Sequence, residues 1–290
     1  MKQHFWPFFL TVAAVSITVL QGGYADYAPI PIGSIEELQR IGRDEDYPLN
    51  GYYILTRDIE AEHTSYWDGG AGFAPIGWRL EEDDSLAFNG WFDGQGFTIR
   101  GLVINRPTEH GIGLFGSIGG AAVVVNVGLE GGTITGGHYV GALVGENWSQ
   151  EIAACYASVE VNGVSRVGGL AGINRGLISG CYATGTVSGE EYVGGLIGRN
   201  YEGVVQECHA AGAVAGVARA GGLVGETIEG AVYDSFWDTE TSGQIVSDGG
   251  LGLTAGQMTQ RNIYVEAGWD FFALWQIAPG HRYPRFQYQR

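Results

Sequence analysis

Carboxylates are the side chains of this protein best suited to chemistry. The 290 residues carry 32 Asp and Glu against 15 Lys and Arg, a net charge of −17. Glycoside hydrolysis needs two carboxylates within about 5–10 Å, and a calcium-assisted lyase needs an acid cluster beside a base. The candidates are Asp58, Asp93, Glu146, Glu202, Glu226, Asp234 and Asp238. Glu146 and Glu226 each follow the last glycine of a near-identical run, but the runs between them carry Ile173 and Arg199 there. Asp93, in Phe92-Asp93-Gly94-Gln95-Gly96, has the surroundings of a turn former. Asp44-Glu45-Asp46 and Glu81-Glu82-Asp83-Asp84 read as solvated acidic loops, without the ligand spacing of a calcium loop. No catalytic, cofactor-binding or metal-binding residue is assigned, and no cofactor is expected.

Other constellations exclude further chemistry. Cys155, Cys181 and Cys208 lack Cys-x-x-Cys spacing and a nearby histidine pair, so zinc is not indicated. His63, His110, His138, His209 and His281 are scattered, and no His-Glu-x-x-His occurs. Lys2 is the sole lysine, which leaves no phosphate-binding loop of the Gly-Lys type. The acidic balance opposes binding to nucleic acid. Tyr139, Tyr182, Tyr192, Tyr201, Tyr233 and Trp237 are the binding clue, as aromatics expected in strands or turns where they could stack on sugars or anchor a partner. Asn147-Trp148-Ser149 matches a glycosylation acceptor, a frequent chance pattern.

The elements that must hold these residues are set by repetition. Gly113-Leu114-Phe115-Gly116, Gly141-Ala142-Leu143-Val144-Gly145, Gly168-Gly169-Leu170-Ala171-Gly172, Gly194-Gly195-Leu196-Ile197-Gly198 and Gly221-Gly222-Leu223-Val224-Gly225 are copies of one pattern. Their leucines are 29, 27, 26 and 27 residues apart. Asn126, Cys155, Cys181, Cys208 and Ser235 follow the leucines by 11 or 12 residues and define a second register. About three strands of three to five residues fit in each unit, too short for a self-supporting sheet. Coiling them satisfies every ladder, because each strand then pairs with its counterpart one repeat later. Glycine and β-branched density excludes a helical solenoid, since glycine costs about 1 kcal/mol per helix-interior position. The expected fold is all-β: a right-handed parallel β-helix (β-solenoid) of about 26–29-residue coils. Stacked coils rise by about 4.8 Å, so Glu146 and Glu226 would stand about 14 Å apart. The three cysteines would stack as buried free thiols.

The Gly-Gly-Leu-hydrophobic-Gly core, followed by Cys181-Tyr182-Ala183 or Cys208-His209-Ala210 and by Gly185-Thr186-Val187 or Gly212-Ala213-Val214, resembles the GLUG-motif repeat. That family occurs in exported bacterial surface proteins, among them adhesin-like chains and the non-catalytic region of some immunoglobulin-A-cleaving metallopeptidases. The resemblance implies a β-helix and an extracellular setting, but no reaction.

Four segments follow. Residues 1–25 read as a signal peptide: Met1-Lys2, an uncharged apolar run from Phe5 to Leu20, then Gly23-Tyr24-Ala25. Residues 26–110 read as an N-terminal cap with irregular first coils. There Ser34 caps a short helix answered by Glu37, Gly51 to Ile59 forms a strand, and a tight Asp93-Gly94 turn separates two more. Residues 111–238 hold the repeat coils. Residues 239–290 form a C-terminal cap whose bulky residues should cover the final coil, and Thr254 with Gln257 should begin a helix there. The expectation is an exported, non-enzymatic, adhesin-like binding or structural module, secreted or at the cell surface. Its partner would be an extracellular glycan or surface protein, with no membrane insertion after signal removal. A polysaccharide lyase or glycoside hydrolase is the alternative.

Overall fold

The computed structural model describes residues 28–78 and 84–289. The expected signal peptide and the cluster Glu81–Asp83 lie outside the described residues. About seven coils stack in parallel to form a β-solenoid. One coil runs Ser165–Gly168, Ala171–Asn174, Leu177–Ser179 and Tyr182–Ala183 before Val187–Gly194 opens the next. Four short strands per turn, rather than three, distribute into sheets of eight, 13 and five strands. The register repeats the leucine spacing. Phe115 pairs with Val144, Val144 with Ala171, Ala171 with Ile197 and Ile197 with Val224.

Leu114, Leu143, Leu170, Leu196 and Leu223 are buried in one interior column. Each leucine side chain removed from water contributes about 1.5–3 kcal/mol. The glycines around them permit close approach. A Cβ on Gly194 would lie 2.0 Å from the Ile197 carbonyl oxygen, and one on Gly195 would lie 2.2 Å from that of Gly222 on the next coil.

The cysteine column is buried and its thiols are free. Cys155 N–H donates to the Cys181 sulfur at 3.4 Å, and Cys181 N–H to the Cys208 sulfur at 3.4 Å. Burial pushes the Cys181 thiol pKa up, so it stays protonated. Asn126 is not in this column. Gly128 pairs with Tyr156, which makes Val127 the rung facing Cys155. Asn126 falls one residue earlier, on a left-handed corner shared with Ala154, Gly180, Glu207 and Asp234. The first repeat is one residue longer between leucine and column, so counting from Leu114 lands on the corner.

A third column escaped the sequence reading. Asn147, Asn174 and Asn200 are fully buried. Asn147 Nδ2 donates to Asn174 Oδ1 at 2.6 Å, and Asn174 Nδ2 to Asn200 Oδ1 at 2.8 Å. Each amide both donates and accepts, so a stack of them satisfies itself inside the coil. Burial of Asn147 also closes the apparent glycosylation acceptor.

At the N-terminal end, helix α1 (Ile35–Arg40) begins at Ser34, whose hydroxyl accepts from Glu37 N–H. Ile35, Leu38 and Ile41 turn inward over the first coil. The expected strand from Gly51 to Ile59 divides into Tyr52–Leu55 and Ile59–Glu60, which enter different sheets. The turn after Asp93 is a coil corner, not a hairpin. Its flanking strands, Trp91–Asp93 and Thr98–Arg100, pair in parallel with other coils.

Residues beyond Asp238 do more than cover an end. Leu251–Leu253 pairs with Phe236–Asp238 as one further rung. Thr254 and Gln257 form the expected capping box of helix α3 (Ala255–Met258), after α2 (Thr239–Ser242). The tail then turns back along the solenoid flank. Trp269 Nε1 donates to the Asp234 carbonyl at 2.7 Å, and Tyr288 hydroxyl to the Ala154 carbonyl at 2.9 Å. Those two acceptors stand three rungs apart on the left-handed corner.

Candidate functional site

The repeat coils carry an outer band in which arginines alternate with aromatic rings. One margin is the column Tyr139, Arg166, Tyr192, Arg219. Each of these residues sits four positions before a motif leucine, and all adopt left-handed φ of 58°, 57°, 56° and 51°. The Arg166 guanidinium lies 5.1 Å from the Tyr139 ring centre and 5.2 Å from that of Tyr192. The other margin is Trp148, Arg175, Tyr201, each five positions after a leucine. Arg175 is held between the rings of Trp148 at 4.2 Å and Tyr201 at 4.1 Å. Arg199 joins the margins, at 5.2 Å from Tyr192 and 5.7 Å from Tyr201. Arg219 also faces Tyr192, at 5.1 Å.

The motif glycines place this band. A Cβ on Gly172 would meet the Tyr139 backbone at 2.5 Å, and one on Gly198 the Arg166 backbone at 2.4 Å. The last glycine of three copies, Gly172, Gly198 and Gly225, is therefore the seat on which the preceding coil's Tyr139, Arg166 or Tyr192 turns outward. Left-handed φ at a residue other than glycine or asparagine costs of order 1 kcal/mol. Four successive corners therefore carry Tyr or Arg at that cost.

Glu226 forms an ion pair with Arg199 at 2.8 Å and also accepts from Arg219. Glu146 and Glu226 share one strand position, three rungs apart, as their spacing implied. Among the described residues, Arg175 has only the distant Glu202, at 3.9 Å, for an ionic partner, and its Nε makes no hydrogen bond.

Of the six aromatics singled out in the sequence, Tyr139, Tyr192 and Tyr201 meet here. Tyr233 is exposed elsewhere, whereas Tyr182 and Trp237 are buried. Tyr182 stacks in a second ladder, between Tyr156 at 5.1 Å and His209 at 4.9 Å. The returning tail seals that ladder with Trp269, Trp275 and Phe286. His209 is thus buried, although it directly follows the inward Cys208. Its Nε2 meets the Pro284 carbonyl oxygen at 2.9 Å, its Nδ1 has no partner, and burial lowers its pKa to about 4. His110 and His138 also come together, with rings 4.7 Å apart.

The structure gathers carboxylates around Arg100. Asp58 and Glu130 flank Arg100 at 2.8 and 3.4 Å, with Glu60 at 3.7 Å. Tyr156 hydroxyl donates to Glu130 at 2.7 Å, and burial lifts its pKa to about 12. These groups border a groove of about 760 Å³ between the flank and the tail. They stand on neighbouring rungs, Glu60 beside Arg100 and Arg100 beside Glu130, so the arrangement is an acid–base–acid charge ladder. Asp93 accepts from the Gln95 backbone at 2.8 Å, as a turn former does. Asp238 is buried and caps helix α2. Asp44 is tied to Arg40 at 2.7 Å. Among the described residues, no three His, Cys, Asp or Glu side chains gather to hold a metal ion.

The GLUG motif matches residues 163–188 and 189–215, the two coils that carry Arg166, Arg175, Tyr192, Arg199 and Tyr201. This is a GLUG-motif β-helical repeat protein. It is 37% identical over 156 residues to halomucin of Haloquadratum walsbyi, a match that covers 53% of this chain and 2% of halomucin. It is 39% identical over 119 residues to a "putative Gly-rich membrane protein" of Evansella cellulosilytica, covering 39% of this chain and 13% of that one. The GLUG protein therefore spans only a small part of these relatives. Its fold resembles the crystal structure of a "putative immunoglobulin A1 protease" from Bacteroides ovatus, with a TM-score of 0.68, 18% identity, and coverage of 91% of this chain and 94% of that one. No helix among the described residues is long and apolar enough to cross a membrane.

Proposed function

We propose that this GLUG protein is an exported, non-enzymatic, adhesin-like binding module of the cell surface, and that the aromatic–arginine band is its binding face. The observation that carries the reading is the contrast in cover. The Tyr156–Tyr182–His209 ladder is sealed by the tail, while Tyr139 and Tyr192, on strained corners, and Tyr201, at a strand end, stay partly exposed. Similarity to a protein named as a mucin supports a surface setting. A glycan and matrix-protein array probed with the protein and with Tyr192→Ala tests it. Retention on the array that the substitution abolishes is expected. Absence of any retained ligand would sink the reading.

The Asp58–Arg100–Glu130 groove supports a second reading, a polysaccharide lyase or glycoside hydrolase. Turnover of a polysaccharide that disappears in Asp58→Asn and Glu130→Gln would establish it and displace the first. Against it stands the charge ladder itself, since both carboxylates already face the same guanidinium.

A further inference from the structure

We infer that the band binds an acidic polysaccharide, a polymer of uronate type, laid along the solenoid axis. The inference rests on the binding-module reading and names the ligand class of that same face.

Ring and guanidinium packing fixes the geometry. Arg166 and Arg175 are each stacked on both faces. A guanidinium's N–H groups lie in its plane, so a group sandwiched this way can donate only through its edge. That edge is a planar fork matched to a carboxylate, and the rings hold it in place before any ligand arrives. The side-chain entropy that a free arginine loses on binding is already spent. The rings are used up in the same way. With their faces against arginine, Tyr192 and Tyr201 offer outward edges and hydroxyls rather than flat stacking platforms. Among the described residues, those hydroxyls and that of Tyr139 make no hydrogen bond. A phenol hydroxyl both donates and accepts, which suits a partner that carries hydroxyls as well as carboxylates.

Charge selects the anion. Arg166, Arg175, Arg199 and Arg219 are four of the 15 basic residues of a chain with net charge −17. Glu226 occupies Arg199 and Arg219, whereas Arg166 commits one Nη1 donor to Ser165 Oγ at 3.2 Å and Arg175 faces Glu202 at 3.9 Å, so these two guanidinium groups keep further donors for a ligand. Periodicity selects a polymer of like units. Along the column arginine and tyrosine each return every second coil, at steps of about 10 Å, two strand spacings. A ligand of repeating composition meets equivalent donors at each step.

The test is direct binding of polygalacturonate to the full chain, beside neutral dextran and poly-glutamate, at low and at raised salt. Binding of polygalacturonate that weakens as salt rises, without binding of dextran, is expected. Arg166→Gln and Arg175→Gln should each lower affinity roughly tenfold, the scale of one charge-assisted contact. Arg175→Lys, which keeps charge but loses the fork, should also weaken binding. Arg57→Gln, an exposed site elsewhere, should leave it unchanged. Melting temperatures identify any variant that fails to fold, and the exposed Arg219→Gln then serves in its place. By leaving Glu226 to face Arg199 alone, it should weaken polygalacturonate binding by less than tenfold. Equal binding by the Arg166 and Arg175 variants, equal binding of dextran, or tighter binding of poly-glutamate would each overturn the inference. Array retention of neutral glycans through Tyr192, without polygalacturonate binding, would overturn it while leaving the binding-module reading intact.

Discussion

Two ladders of stacked side chains run up this solenoid, and they meet opposite fates. Tyr156, Tyr182 and His209 are followed by Phe236 and lie dry under the tail. Tyr139, Arg166, Tyr192 and Arg219 stay at the water's edge. Both use the rung spacing to stack planar groups face to face. The difference is charge. A neutral histidine between a tyrosine and a phenylalanine can be buried, whereas a guanidinium cannot lose water without a full set of partners. The chemistry of alternate rungs thus decides which flank becomes core and which becomes surface.

That comparison breaks most severely at Trp275, which is fully buried against Tyr182, His209, Trp269 and Phe286. Trp275→Ala should cost about 3–5 kcal/mol in denaturant unfolding. Tyr192→Ala on the open ladder should cost under about 1.5 kcal/mol. Similar losses at the two sites would show that the flanks are equivalent after all.

A smaller effect comes through pH. His209 titrates near 4 when folded and near 6.5 when unfolded. As pH falls from 6.5 to 4, the unfolded chain takes a proton that the folded one refuses, so stability drops by on the order of 2–3 kcal/mol. Partial burial, with Asp234 and Asp270 nearby, raises the pKa of Glu207 to about 7, so the folded state gains a proton first and stability rises over the same descent. The two trends oppose each other between about pH 4.5 and 6.5. Glu207→Gln should therefore expose a loss of stability on acidification relative to the parent, and His209→Phe a gain. Unfolding midpoints across that range, parallel for all three proteins, would contradict the assignment.

Asn174→Ala interrupts the amide column and leaves Asn147 without its acceptor. A loss of about 1–3 kcal/mol is expected, with little change in binding by the open face. If ligand affinity fell as far as stability, the column would be shown to govern the face as well as the core.

Much of this was readable from spacing. Leucines, motif glycines and cysteines repeat with the coil, and their burial follows from their type. The open band was readable too, since Tyr139, Arg166, Tyr192 and Arg219 keep the leucine period at a fixed offset. Alternation between tyrosine and arginine hides it, because no single residue type repeats with the coil. Asn147, Asn174 and Asn200 hold another fixed offset and were missed for want of a reason to expect buried amides. Asn126 was misplaced by a one-residue insertion that only backbone pairing reveals. The burial of Tyr182 and His209 was beyond local pattern, because it depends on Trp275 and Phe286, far along the chain. Asp58 is a candidate acid by type, but Glu130 is not singled out by the sequence, because their meeting at Arg100 depends on how the irregular first coils align.

The returning tail also changes how the molecule can come apart. A simple solenoid holds each coil only by its neighbours, so it can fray from an end one unit at a time. Here the Tyr288 hydroxyl is bonded to Ala154, 134 residues earlier. That bond, with Trp269 on Asp234, clasps distant rungs into one cooperative block, so the coils between them should melt together or not at all.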